Sequence, residues 1–304
     1  MTVPRRAVRL LDGAIDLHVH VRPSVRNRRA DGREVVEEAS AVGMRAVLLK
    51  DHDRSTVADA WHANTGGSSA DAFGAVCLNA PAGGINPAAV EAALRMGARA
   101  VFLPTDSARN DGAFWRAHLG NGARHAAVGE EPRRWTAELD ALDASGPVPA
   151  ILDVIDLCAA SGALVCTGHL SADEVTVVVD ECAARGARVL VTHAPMFTGA
   201  APGTMAKWAA AGALLELVAI LCCGGPSLPT SVRRSYAADA TLIDEIGASA
   251  FVLSTDLGQA GNPAPAEGLG LFVDGLLGEG ISADDIAVMT RLNPAMALGI
   301  GAAA

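Results

Sequence analysis

Short apolar runs bounded by glycine, proline and small polar residues alternate along the chain with longer stretches whose apolar positions recur at helical spacing. The runs predict strands at 14–19, 45–50, 72–78, 98–103, 163–167, 188–192, 213–219 and 250–254. The helical stretches fall at 33–42, 56–63, 87–96, 151–160, 172–184, 204–211 and 230–246. Ser171 followed by Glu174 has the spacing of a capping box, in which each side chain satisfies a backbone N–H at the helix start. Gly43, Gly97, Gly162, Gly186, Gly212 and Gly247 each stand just past a helix, where C-caps are expected. Repeated strand–helix units build a parallel sheet, and eight of them match the α/β class as a closed (β/α)8 TIM barrel. An open doubly wound sheet is the alternative. The expectation is one barrel domain over 1–304, closed by C-terminal helices at 267–276 and 282–300. Residues 104–149 interrupt the alternation with a long excursion, predicted to hold short helices at 112–119 and 132–142. Such an insertion at a barrel mouth serves as a lid or a contact between copies, which makes a homo-oligomer an expectation.

Composition narrows the class. Half of the 304 residues are apolar and 19% are charged, which excludes disorder and a small disulfide scaffold. The formal net charge of −10 gives no global attraction for nucleic acid or an anionic membrane, so neither is an expected partner. The chain has no run of 18 apolar residues, and its arginine-bearing first 11 residues lack the apolar core of a signal segment. Cys77, Cys158, Cys166, Cys182, Cys222 and Cys223 form no C-x-x-C pair and read as buried, reduced thiols of a cytoplasmic protein. Of the 24 basic residues only Lys50 and Lys207 are lysines. A lysine retained against such an arginine bias hints at chemistry that arginine cannot do, and Lys50 closes an apolar run.

The histidines carry the chemistry. His18 and His20 end the first predicted strand, His52 follows the second, His169 the fifth and His193 the sixth, and Asp256 follows the eighth. In a barrel these carboxyl ends share the face that bears the active site. Residues two apart on a strand point to the same side, so His18 pairs with His20, and Lys50 with His52. Imidazole with carboxylate suits Zn2+, Mn2+ or Fe2+. His62, His118 and His125 lie in helix or loop and read as ordinary histidines. Glu216, a charge inside the apolar seventh strand, needs a partner, either a site histidine or an arginine facing a helix. Arg22, two residues past His20, is placed to bind an anionic substrate group bidentately, or belongs with Arg26, Arg28 and Arg29 to a solvated basic loop. Asn262 caps the turn after the eighth strand or contacts substrate.

This order of ligands, with DLHVH at 16–20, VLLKDH at 47–52, CTGHLS at 166–171, VTHAP at 191–195, STDLGQ at 254–259 and RLNPAMALG at 291–299, resembles the amidohydrolase superfamily over nearly the whole chain. The resemblance implies that His18, His20 and Asp256 hold a more buried metal ion, and His169 and His193 a more exposed one. Many binuclear members bridge the ions with a carboxylated lysine or a glutamate from strand 4. That strand offers only Asp106 here, so Lys50 stands as the candidate bridge, with His52 as a further ligand. Lys50 is either a carbamate or a plain cation that binds substrate. The resemblance further implies a divalent metal cofactor, foremost Zn2+, one or two per chain. It implies hydrolysis, in which a metal-bound hydroxide cleaves an amide, cyclic amide or lactone of a small anionic substrate. Asp256 would carry the proton. Phosphoester hydrolysis, decarboxylation on the same ligands, and a non-catalytic metal- or ligand-binding barrel are the competing readings. A phosphate cradle at 222–227 is a weaker one, because glycine pairs are common in loops.

Overall fold

The first strand shows how the sequence places its polar groups. β1 (Ile15–His20) is buried at every position, with Ile15, Leu17 and Val19 alternating against Asp16, His18 and His20. The period of two therefore puts the apolar residues on one face and the three polar groups on the other. The structure is a computed structural model and describes residues 5–120, 137–225 and 228–301.

The further strands are β2 (Ala46–Lys50), β3 (Asp71–Cys77), β4 (Ala98–Phe102), β5 (Leu142–Asp143), β6 (Gly146–Pro147), β7 (Leu164–Cys166), β8 (Arg188–Val191), β9 (Leu214–Val218) and β10 (Phe251–Ser254). Eight of them form one sheet in the order β1-β2-β3-β4-β7-β8-β9-β10. A parallel bridge Val19↔Leu257 and the bond from Asp256 N to His18 O join β1 to the end of β10. With helices between the strands, the architecture is the (β/α)8 barrel.

The chain divides into two compact units, with borders inside β3 and β9. The first comprises Met1–Lys50, Ala58–Gly74 and Glu216–Ala304. In it β1 pairs with β2, setting His20 opposite Lys50, and β2 pairs with β3. Its helix Gly32–Ala41 opens on an Asp31/Glu34 capping box. The second unit comprises Asp51–Val57 and Ala75–Leu215, and pairs β4 with β7 and β7 with β8. Its helix Ala172–Arg185 opens on the expected Ser171/Glu174 box and closes on a left-handed Gly186. No helix among the described residues is long and apolar enough to cross a membrane.

Three stretches depart from the expected elements. Residues 230–246 are not one helix: a short 3-10 turn Thr230–Val232 precedes the helix Tyr236–Ile246, because the Ser235 side chain accepts from Ala238 N and starts a new helix there. Within the excursion, the helix Arg109–Leu119 forms as expected. The predicted helix at 132–142 lies outside the described residues as far as 136, and its end is extended. There β5 pairs with β6 across a turn held by Ser145 N on Asp143 Oδ1 at 2.7 Å. The tail at 282–300 is broken into Ala283–Ala287, a wider turn and Asn293–Leu298, where Pro294 lacks the N–H that an unbroken helix would use. His125, Pro226 and Ser227 also lie outside the described residues.

All six cysteines are free thiols, four of them buried. Burial pushes Cys158 and Cys182 up to about 12, so both stay protonated.

Candidate metal centre

In the first unit the polar face of β1 meets Lys50, Glu216 and Asp256. His18 Nδ1 lies 3.1 Å from Glu216 Oε1 and 3.3 Å from Oε2, and both side chains are fully buried. In the tautomer protonated at Nδ1, the ring donates to this carboxylate and the lone pair of Nε2 points the other way. Lys50 Nζ is 2.9 Å from that Nε2. Asp256 Oδ1 is 3.2 Å from His18 Nε2 and 2.8 Å from His20 Nε2. Of this group only the Asp256 side chain has appreciable solvent access, 17%. Burial raises its carboxyl above the ordinary range, against the pull of His18, Lys50 and Arg28.

One ligand atom each from His18, His20 and Asp256 falls within 4.8 Å of the others. Two imidazole nitrogens and a carboxylate oxygen, with one imidazole already oriented by a second carboxylate, fit a borderline divalent cation.

Asp16, on the same face of β1, is fully buried. Its Oδ1 accepts from His18 N and Thr255 N, each at 3.0 Å, and its Oδ2 from Thr255 Oγ1 at 2.6 Å. Burial still pushes its carboxyl up to about 7.

The second unit holds its own group. Gly168, at φ +63°, turns the chain after β7 so tightly that a Cβ would overlap the carbonyl oxygens of Leu103 and Pro104. The turn delivers His169, whose Nδ1 lies 2.7 Å from Oδ1 of the fully buried Asp111. Phe197 stacks on the His169 ring at 3.8 Å with an interplanar angle of 13°. Asn110 Nδ2 donates to both His169 O and Phe197 O, which ties the helix Arg109–Leu119 to the loops after β7 and β8. The His193 ring is centred 5.4 Å from that of His169. His52 Nδ1 is 2.9 Å from Thr105 Oγ1 and 3.5 Å from Asp106 Oδ1. The buried Asn79 organises this corner: its Nδ2 donates to His52 O and Thr105 Oγ1, and its Oδ1 accepts from Thr105 N and Ser107 N. Asp106, Asp111 and His169 each bring a ligand atom within 4.8 Å of the others.

Among the described non-glycine residues, His193 (φ +48°) and Asp256 (φ +52°) are those with left-handed backbones. Both occupy positions expected to hold metal. Such outliers persist only where the surroundings enforce them, and they concentrate at functional sites.

The first unit thus brings together His18, His20, Lys50, Glu216 and Asp256, and the second His52, His169 and His193. Glu216, Arg22 and Asn262, the remaining expected site residues, have these partners in the structure. Glu216 is bonded to His18. Arg22 Nη2 is 2.8 Å from Glu34 Oε2, with both side chains about half exposed (49% and 46%). Asn262 accepts from Gly225 N at 2.8 Å and donates to Gln259 Oε1 at 2.9 Å, bracing the loop after β10. Sequence reasoning missed Asp111, Asp16 and Arg28. Arg28 is 5% exposed and bridges to Gln259, and its charge acts on Asp256. Asp16 was within reach of the alternation argument, since it shares the histidine face. Nothing near Asp111 in the chain marks it out.

A sequence family described as "Family of unknown function (DUF6282)" matches residues 13–216. The chain belongs to that family. The matched span contains all the candidate ligands except Asp256. No curated protein matches the sequence. Solved structures extend the likeness in fold. An amidohydrolase from Pseudomonas aeruginosa superposes with a TM-score of 0.61 at 12% identity, over 96% of this chain and 98% of that one. A D-hydantoinase gives 0.57 at 14% identity, over 96% of this chain and 73% of that one. An organophosphorus hydrolase variant from Deinococcus radiodurans gives 0.54 at 14% identity, over 98% of both chains. At the level of fold, the resemblance to the amidohydrolase superfamily holds.

Proposed function

We propose that the protein is a metal-dependent hydrolase that cleaves an amide, cyclic amide or lactone bond of a small anionic substrate. The observation that carries this reading is the convergence of His18, His20 and Asp256, with Glu216 fixing the His18 ring. His18, His20 and Asp256 would hold one divalent ion, foremost Zn2+, and His169 and His193 a second, with Lys50 and His52 as further ligands. The place of Lys50 beside His18, opposite His20 in the sheet, supports a role at this site, as a carbamate or as a plain cation. The chemistry that a divalent cation held by these residues would supply is Lewis acidity: it would acidify water from a pKa of about 15.7 to about 7 and polarise a carbonyl.

The chain's own groups do the rest. Asp256 accepts the proton of the attacking water and passes it to the leaving atom, a task suited to the partly accessible carboxylate of the group. Glu216 and Asp111 keep the His18 and His169 rings in the tautomer whose Nε2 is a lone pair. Arg28, buried and acting electrostatically on Asp256, is better placed than Arg22 to receive an anionic group.

The test is elemental analysis of the purified protein with a hydrolysis screen over lactones, cyclic imides and N-acyl amino acids. About one to two divalent ions per chain are expected, with activity lost on chelation and restored by Zn2+. A folded, metal-free protein of full activity would overturn the proposal.

A further inference from the structure

Asp256 has a backbone that an L residue adopts reluctantly, and its neighbours account for it. Asp16 Oδ1 accepts from Thr255 N at 3.0 Å, immediately before Asp256. Thr255 Oγ1 donates to Asp16 Oδ2 at 2.6 Å and accepts from Leu257 N at 3.3 Å, immediately after it. One hydroxyl therefore grips both sides of residue 256. Asp256 N donates to His18 O and His20 N to Leu257 O, each at 2.8 Å, so β1 holds the same turn from outside. Gly258 leaves no room for a Cβ, because the His20 carbonyl lies against it. The Asp16 carboxylate also takes His18 N, so a single buried group sets the backbone of one candidate ligand and the approach to another.

We propose that Asp16 and Thr255 form a clamp that holds Asp256 in its left-handed conformation and thereby aims its carboxylate at His18 and His20. Both are positioning residues, and their role rests on the reading of Asp256 as a metal ligand. The Thr255 hydroxyl is the pivot. Without it Leu257 N loses its partner and Asp16 its shortest bond, and the remaining backbone bonds to β1 are insufficient to hold residue 256 against relaxation to negative φ. The carboxylate then leaves the histidine nitrogens. Asp16→Asn is a milder change. An Asn Oδ1 still accepts from both N–H groups, and its Nδ2 donates to Thr255 Oγ1, so the turn keeps its hold.

Zn2+ affinity of the metal-stripped full chain, measured by competition with a chelating dye, separates this from a purely structural seam between β1 and β10. Crystal structures of the same variants give a second, activity-independent readout. Thr255→Val is expected to weaken the tighter Zn2+ site at least tenfold and to return residue 256 to negative φ. Thr255→Ser and Asp16→Asn should stay within about threefold of the parent. A folded Thr255→Val with parental affinity and φ still near +52° overturns the clamp, as does loss of thermal stability with affinity unchanged. If Thr255→Val does not fold, Thr255→Cys replaces it, with a weakened site expected and parental affinity overturning the proposal. Asp256→Asn guards the underlying reading. Should it bind Zn2+ as tightly as the parent, Asp256 is no ligand; the conformation of residue 256 in Thr255→Val then decides the clamp alone, negative φ upholding it and positive φ overturning it.

Discussion

His169 Nδ1 lies 2.7 Å from Asp111 Oδ1, and the carboxylate is wholly buried. This repeats in the second unit what Glu216 does for His18 in the first, where Nδ1 and Oε1 are 3.1 Å apart. In each unit a histidine is oriented by a carboxylate without solvent access, so that its Nε2 is presented as a lone pair. Asp111→Asn should weaken the proposed metal site of the second unit about 10–100-fold while leaving the fold intact, because asparagine keeps an acceptor but loses the charge. Elemental analysis after dialysis against a weak chelator checks this, and full retention of metal would refute the orienting role.

Glu216→Gln should act in the same way on the first unit. The carboxamide fills the same space inside β9, so the melting temperature should move little, whereas the affinity for the first ion should fall about 10–100-fold. A large drop in melting temperature with metal binding unchanged would make Glu216 a structural residue only.

Asp16 links stability to pH in the metal-free protein. Its folded pKa of about 7 stands above the ordinary 3.8, so the folded state holds the proton more tightly than the unfolded chain does. The resulting stabilisation is complete below about pH 3.8 and is lost as pH rises through about 7. At about 1.4 kcal/mol per pKa unit the effect is at most on the order of 4 kcal/mol. Asp16→Asn should flatten this part of the profile. Denaturant midpoints of parent and variant between about pH 4 and 8 measure it, and parallel profiles would exclude Asp16 as the source.

The arginines divide by burial. Arg22 and Glu34 form a surface pair worth about 0–1 kcal/mol, so Arg22→Ala should change stability and substrate affinity little. Arg28→Met should raise KM for a lactone bearing a carboxylate about tenfold or more, and leave that for the uncharged parent lactone nearly unchanged. Equal KM changes for the two substrates would remove Arg28 from anion recognition.

Much of this was legible in the chain. The alternation of apolar runs and helical stretches marked all eight barrel strands to within a residue or two, and the Ser171/Glu174 box was visible as a pair of letters. These features are local: a period of two or 3.6 and a cap of four residues depend on neighbours in sequence. The break at Ser235 and the extended end of the excursion were not legible, since a serine cap and an Asp–Ser turn overrode apolar spacing that also suits a helix.

By itself, the sequence determined the eight strand–helix units, the strand each histidine ends, and the face of β1 on which Asp16, His18 and His20 lie, because local periodicity alone settles those questions, whereas closure into a barrel is a tertiary choice. Tertiary structure alone decided that Glu216 serves His18, that Asp111 serves His169 from 58 residues away, and that Arg22 turns to Glu34 while Arg28 is buried. Those choices depend on which buried charge finds which partner across the packed interior, and no local pattern encodes that pairing.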